Sequence, residues 1–175
     1  MEHFYQDIFG WFNFQQIYRD AVNKGKDGSV FVEIGNYLGK STAFMAVEIA
    51  NSNKKIKFYS IDPHAGWGDI PTGDNTYKLL KGNLEPVKDH VKIIRNRSTQ
   101  VDIRNVDFVF IDGDHSYEEV KADIQHWLPR TKLGGIIAGH DYDMHSVRQA
   151  VNEFFPRLAI NRTDPMRHPW IALNK

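Results

Sequence analysis

Between Ser29 and Ala50 the chain reads SVFVEIGNYLGKSTAFMAVEIA, an apolar β-branched run that breaks at a glycine loop and resumes with helical spacing. Val30, Phe31, Val32 and Ile34 suit a strand buried on both faces, and Ala43, Phe44, Ala46, Val47 and Ala50 suit a helix packed on a sheet. Strand, tight turn and helix in that order make one half of a parallel α/β unit. Ligands in such sheets bind beyond the carboxyl ends of the strands. The acidic Glu33, the glycines Gly35 and Gly39 and the hydroxyl of Ser41 therefore stand where a backbone can approach a ligand closely.

The spacing departs from two familiar nucleotide loops. The glycines are four apart, with Tyr37 where a dinucleotide fingerprint needs its central glycine. Gly39-Lys40-Ser41 imitates the end of a phosphate-binding loop, but Asn36, Tyr37 and Leu38 leave it one residue short. Tyr117 and Lys121 match a dehydrogenase pair, yet they open a helix and lack an upstream serine. The chain holds no G-x-S-x-G nucleophile elbow.

Downstream, KFYSI (57–61) predicts a second strand ending in Asp62, about 20 residues past the glycine loop, where an acid holds the two hydroxyls of a ribose. His64 to Asn75 carries a proline and three glycines and reads as a loop with the makings of a lid. A helix is expected over 76–89 and a third strand over 91–94, followed by Arg95, Arg97 and Ser98. Val106 to Ile111 is apolar enough for a central fourth strand. Ser116 and Glu119 form a capping-box pattern for a helix to Leu128. Residues 136–139 form a fifth strand, 147–155 an amphipathic helix, and 158–161 with 170–173 a closing hairpin. Strands alternating with helices predict an α/β, Rossmann-like doubly wound fold with a seven-stranded, mainly parallel sheet and a C-terminal antiparallel hairpin.

Asp112, Asp114, His115, His140, Asp141 and Asp143 fall just after strands four and five, which are expected neighbours. Carboxylates and imidazoles converging without cysteine suit a hard divalent cation such as magnesium.

The pattern E-x-G-x-x-x-G-x-S resembles the first motif of class I S-adenosylmethionine-dependent methyltransferases. The stretch IDGDHSYEEVKADIQHWLPRTKLGGIIAGHDY resembles the family that includes macrolide and aminocoumarin sugar O-methyltransferases and cephalosporin hydroxylase-like proteins. The resemblance spans roughly residues 29 to 142. It implies S-adenosylmethionine as cofactor, with Glu33, Gly35, Tyr37, Gly39, Ser41, Asp62, Ser98 and Asp112 around it. It also implies Asp112 and Asp141 as magnesium ligands, with His140 beside them where relatives can carry a second acid. His115 becomes the general base, with Asp112 as its catalytic partner. Two rival classes are a P-loop-like nucleotide hydrolase and a non-catalytic module that binds the cofactor.

The 175 residues fit one domain, with an aromatic helix and loop over 1–28 and a cofactor-binding core over 29–175. Twenty-two basic residues against 22 acidic ones leave no net charge, so neither nucleic acid nor an anionic membrane is drawn in by a global field. The absence of cysteine excludes disulfides and thiol catalysis. No leader or membrane-length run is visible, so the expectation is a cytoplasmic protein acting on a small-molecule acceptor. Residues 4–18 hold Phe4, Tyr5, Phe9, Trp11, Phe12, Phe14 and Tyr18, an apolar surplus expected to form a helix that meets a second copy of the chain or an apolar acceptor.

Overall fold

The computed structural model of the chain describes residues 1–65, 73–156, 159–160 and 169–174. Parallel strands β1 (Val30–Ile34), β2 (Lys57–Ile61), β3 (Lys92–Ile94), β4 (Val106–Ile111) and β5 (Thr131–Gly139) are joined by helices α2 (Lys40–Ser52), α3 (Asp74–Leu84) and α4 (Tyr117–Trp127). Helix α1 (Gln15–Lys24) precedes them, and α5 (His145–Phe154), β6 (Ala159–Ile160) and β7 (Trp170–Leu173) close the chain. The strands lie in the order β3-β2-β1-β4-β5-β7-β6, with β7 antiparallel to both neighbours. The doubly wound architecture and its closing hairpin follow the expectation. The order reverses between β1 and β4, which puts the crevice of the sheet there.

Both faces of the sheet are covered, and the period of two in the strands divides the core. Phe31, Phe108 and Phe110 point to the side of Ile17, Tyr18 and Phe44. Val32, Val109 and Ile111 point to the side of Val120, Ile124, Trp127 and Val151. Trp127 and Trp170 are fully buried, each worth roughly 2–3 kcal/mol of transfer free energy.

Three local expectations are corrected. The N-terminal aromatics do not form a helix over 4–18: a short 3-10 turn at Tyr5–Asp7 is followed by irregular chain through Gly10, whose φ of 142° no helix accommodates, and α1 begins at Gln15. Phe4, Tyr5, Phe12, Phe14 and Tyr18 then pack around Phe44 and the first core cluster. Ser116 does cap α4, but no side-chain cap bond forms: the Ser116 N–H donates to Asp114 Oδ1 (2.7 Å), and Glu119 pairs with Arg97 at 3.2 Å. The helix expected over 76–89 ends at Leu84 and tightens into a 3-10 turn at Glu85–Val87, where Pro86 cannot continue the ladder. Most of the loop expected to act as a lid, residues 66–72, lies outside the described residues, as do Leu158 and Asn161 of the expected hairpin. No helix among the described residues is long and apolar enough to cross a membrane.

Candidate functional site

The carboxyl ends of β1, β2, β4 and β5 open on a cavity of about 450 Å³, within the usual size of a small-molecule cleft. Its floor is the turn after β1. A Cβ on Gly35, whose φ is 84°, would sit 2.0 Å from the Asp112 carbonyl oxygen. Only glycine lets the ends of β1 and β4 come that close.

Asp62 holds this turn in place. Its Oδ2 accepts the backbone N–H groups of Asn36 (3.0 Å) and Tyr37 (3.2 Å), and its Oδ1 accepts that of His64 (2.7 Å). The carboxylate still lines the cavity, and Oδ1, which accepts a single N–H, keeps a second lone pair for a ribose hydroxyl. Among the described residues, five other than glycine have positive φ, and three of them, Tyr37 (45°), His64 (52°) and Asp141 (56°), line the cavity. Strain of about 1–3 kcal/mol at each such residue gathers at functional sites.

Gly35, Tyr37, Ser41, Asp62, Ser98, Asp112, His115, His140 and Asp141 are all brought to this cavity. Glu33 and Gly39 do not line it. Glu33, 1% exposed, accepts hydroxyl protons from Tyr18 (2.9 Å), Ser41 (2.7 Å), Thr42 (2.5 Å) and Ser60 (2.9 Å). Burial pushes its carboxyl up and these four donors pull it back. It is a clamp between α1, β1, α2 and β2 behind the loop, with its oxygens spent on hydroxyls. Gly39, at φ 88°, leaves the space that Leu80 and Leu84 fill, so it serves packing.

Two side chains that a phosphate-binding loop would need are engaged elsewhere. Lys40 Nζ donates to the Ile8 carbonyl (2.9 Å), and Ser41 Oγ donates to Glu33. The Tyr117 and Lys121 pair lies on the outer face of α4, bonded to Glu153 of α5.

Asp112, His115 and Asp141 form one cluster, each offering a ligand atom within 4.8 Å of the others. His115 Nε2 lies 3.1 Å from Asp141 Oδ2 and 3.8 Å from Asp112 Oδ1. Burial lowers the imidazole's pKa, but the two carboxylates more than reverse this and raise it to about 10. Burial pushes Asp141 up, and His115 and His140 hold it well below the usual carboxylate range. His140, expected among the metal ligands, instead spans Asn13 Oδ1 (2.8 Å from Nε2) and Asp141 Oδ2 (3.0 Å from Nδ1). Its place in the cluster is taken by His115. Two carboxylates and an imidazole at this spacing fit a hard or borderline divalent cation.

Sequence reasoning missed four contributors. Phe9 and Trp11, 66% and 65% exposed, line the cavity with Tyr37, and Trp11 stacks on Tyr37 at 6.4 Å. They belong to the segment expected to meet a partner or an acceptor, and its other aromatics are spent on the core. Asn13 reaches His140 from the same segment. The fourth is Asp123, 6% exposed, whose carboxylate accepts the Ser98 hydroxyl proton. Its signal was legible: Val120, Asp123, Ile124 and Trp127 form the buried stripe of α4, and an acid on such a stripe calls for a partner.

A family model described as a methyltransferase domain matches residues 32–142. Among curated proteins, the chain is 24% identical over 140 residues to the uncharacterized protein y4gI of Sinorhizobium fredii, covering 75% of this chain and 15% of that one. It is 30% identical over 156 residues to the uncharacterized protein R132 of Acanthamoeba polyphaga mimivirus, covering 81% of this chain and 66% of that one. The chain thus spans less than two thirds of either relative.

Three solved structures share the fold. One is a SAM-dependent O-methyltransferase of Thermotoga maritima (TM-score 0.71, 14% identity, 95% of this chain and 66% of that one). Another is CalS11, a TDP-rhamnose 3'-O-methyltransferase of calicheamicin biosynthesis (0.61, 14%, 89% and 76%). The third is an rRNA methylase of Streptococcus thermophilus (0.65, 15%, 89% and 92%).

Proposed function

The chain belongs to the methyltransferase domain family, and on that premise we propose that it moves a methyl group from S-adenosylmethionine to a hydroxyl of a small molecule or sugar. The observation that carries this reading is one cavity in which the Asp62-held turn meets the Asp112, His115 and Asp141 cluster. We read the chain as a single methyltransferase domain, with residues 1–28 as the segment that walls the acceptor end and 29–175 as the cofactor core.

The transfer is an in-line displacement: an acceptor oxygen forms the new bond to the methyl carbon as the sulfur–methyl bond breaks. The acceptor's proton leaves, and neutral S-adenosylhomocysteine remains. In this reading Asp62 takes the ribose hydroxyls, and Gly35 lets the cofactor approach the backbone. Ser41 and Glu33 keep the loop in shape from behind. Phe9, Trp11 and Tyr37 present apolar faces to the acceptor, so the chain's part is largely alignment.

His115 is the candidate base, but the bare carboxylates hold it protonated at neutral pH. With His115 beside them as the base, Asp112 and Asp141 are the residues that would hold magnesium. When bound, it supplies positive charge that acidifies a hydroxyl and offsets those carboxylates. His140, tied to Asn13, then orients Asp141 from the second side.

Titration calorimetry with S-adenosylhomocysteine, and separately with ATP and magnesium, tests the reading. Binding of the first at micromolar affinity and none of the second is expected. ATP binding without S-adenosylhomocysteine binding would overturn it in favour of a nucleotide hydrolase. TDP-rhamnose is the first acceptor to assay, on the strength of the shared fold with CalS11.

A further inference from the structure

Asp123 is a buried acid that the methyl transfer leaves unused. It sits on the inward stripe of α4 and forms part of the cavity wall beside Ser98. Ser98 is its hydrogen-bond donor, reaching Oδ1, and Oδ2 is not sealed away from solvent without a partner. With the residue only 6% exposed, the access Oδ2 keeps is to the cavity. The nearby cation is committed: Arg97 pairs with Glu119. A carboxylate buried with one hydroxyl donor is under-satisfied, and a ligand that brings another donor removes that cost.

The topology says which part of a ligand arrives there. Strand β2 lies between β1 and β3, so Asp62 at its end stands between the glycine turn and the Ser98 wall. A nucleoside held by its ribose on Asp62, with its reacting end toward Asp112, points its base at Ser98 and Asp123. This rests on the cofactor reading above and goes beyond it.

We propose that Asp123 is the base-reading residue of the site, its Oδ2 accepting a proton of the adenine 6-amino group while Ser98 fixes the other oxygen. Adenine offers a donor at position 6. Hypoxanthine offers an oxygen there, whose lone pairs face those of the carboxylate. The site therefore selects adenine nucleosides over their deaminated counterparts. Burial leaves the carboxyl raised to about 7 even with Ser98 attached, in keeping with a group that lacks a donor until the base arrives.

Calorimetry at about pH 8.5, where Asp123 is ionised, with S-adenosylhomocysteine and S-inosylhomocysteine on wild type, Asp123→Ala and Asp123→Asn decides it, with melting curves to confirm folding. Wild type should prefer the adenine ligand by about tenfold or more, the cost of one unmatched buried polar group. In Asp123→Ala the preference should fall to about twofold or less, mainly by weaker binding of the adenine ligand. Asp123→Asn, near-isosteric and able to turn its NH₂ toward an oxygen, should narrow the preference too, and it carries the test should the alanine variant fail to fold. A full wild-type preference retained in the variants would overturn the assignment of Asp123 alone. A wild type that binds neither ligand would overturn the cofactor reading and this inference with it.

Discussion

Asp123 and His115 line the same cavity, and both are pushed toward holding a proton, by different causes. His115 is raised by two carboxylates that overcome its burial, whereas Asp123 is raised first by burial and then by the neighbouring Glu119 and Asp114, with Ser98 and Arg97 pulling it down. The second case costs stability. An acid whose pKa is near its ordinary 3.8 unfolded and about 7 folded keeps a proton in the native state that the unfolded chain gives up. Its contribution is intact below the lower value and is lost as pH rises between the two. Asp123→Asn cannot titrate, so its stability relative to wild type should grow from pH 4 to pH 7 and level off above. The gain is of order one to a few kcal/mol. Melting curves of both proteins at pH 4.5 and pH 8 give the comparison, and a difference that does not change with pH would refute the buried, under-satisfied state. A site residue whose removal stabilises the empty protein is expected where binding geometry is held at the expense of stability.

The turn after β1 shows how an element can be fixed by what passes over it. Gly28 and Gly35 have nearly the same φ, 82° and 84°, but a Cβ on Gly28 meets nothing within 4 Å while one on Gly35 meets the Asp112 backbone. Gly28→Ala should cost about 1 kcal/mol, the conformational penalty alone. Gly35→Ala must also part the ends of β1 and β4, so it should cost at least about 2 kcal/mol more and weaken S-adenosylhomocysteine binding. Equal denaturant midpoints for the two variants would mean that the close approach is not enforced. The same contrast explains what was legible in the sequence. The β1-turn-α2 unit and the gathering of Asp62 and the two acid-rich strand ends at one cavity were readable because local pattern and tertiary placement agree there. Glu33 was misassigned because its four hydroxyl partners come from α1, α2 and β2, separations that no local pattern encodes. His140 stands outside the cluster of Asp112, His115 and Asp141, because Asn13 of the N-terminal segment holds its Nε2, a contact that no local pattern encodes. The aromatic segment looked helical by density, yet its rings gather on Phe44, Tyr5 edge-on and Phe12 tilted, instead of forming a stripe.

At the scale of the molecule, the fold alone leaves the acceptor open, since it is shared with both a sugar O-methyltransferase and an rRNA methylase. We propose that charge separates the two. The chain carries 22 basic and 22 acidic residues, and the cavity wall holds Asp62, Asp112, Asp114, Glu119, Asp123 and Asp141 against the cations Lys40 and Arg97. Lys40 is engaged with the Ile8 carbonyl and Arg97 with Glu119, and the protonated His115 lies between Asp112 and Asp141. An RNA acceptor would bring its phosphates to this rim, and stable binding typically needs some 6–10 phosphate contacts from lysine and arginine. The aromatic trio Phe9, Trp11 and Tyr37 offers stacking faces for a base, but among the described residues of the cavity wall no unengaged lysine or arginine stands beside it to hold the strand. A fluorescein-labelled RNA stem-loop should therefore bind no tighter than about 100 μM at 50 mM salt by anisotropy, the weak end of the non-specific range. Trp11→Ala should leave that result unchanged, since stacking without phosphate contacts adds little affinity for a chain. Micromolar binding that falls steeply between 50 and 200 mM salt would reverse the argument, placing the acceptor among nucleic acids and making the acidic rim a feature of the catalytic cluster alone.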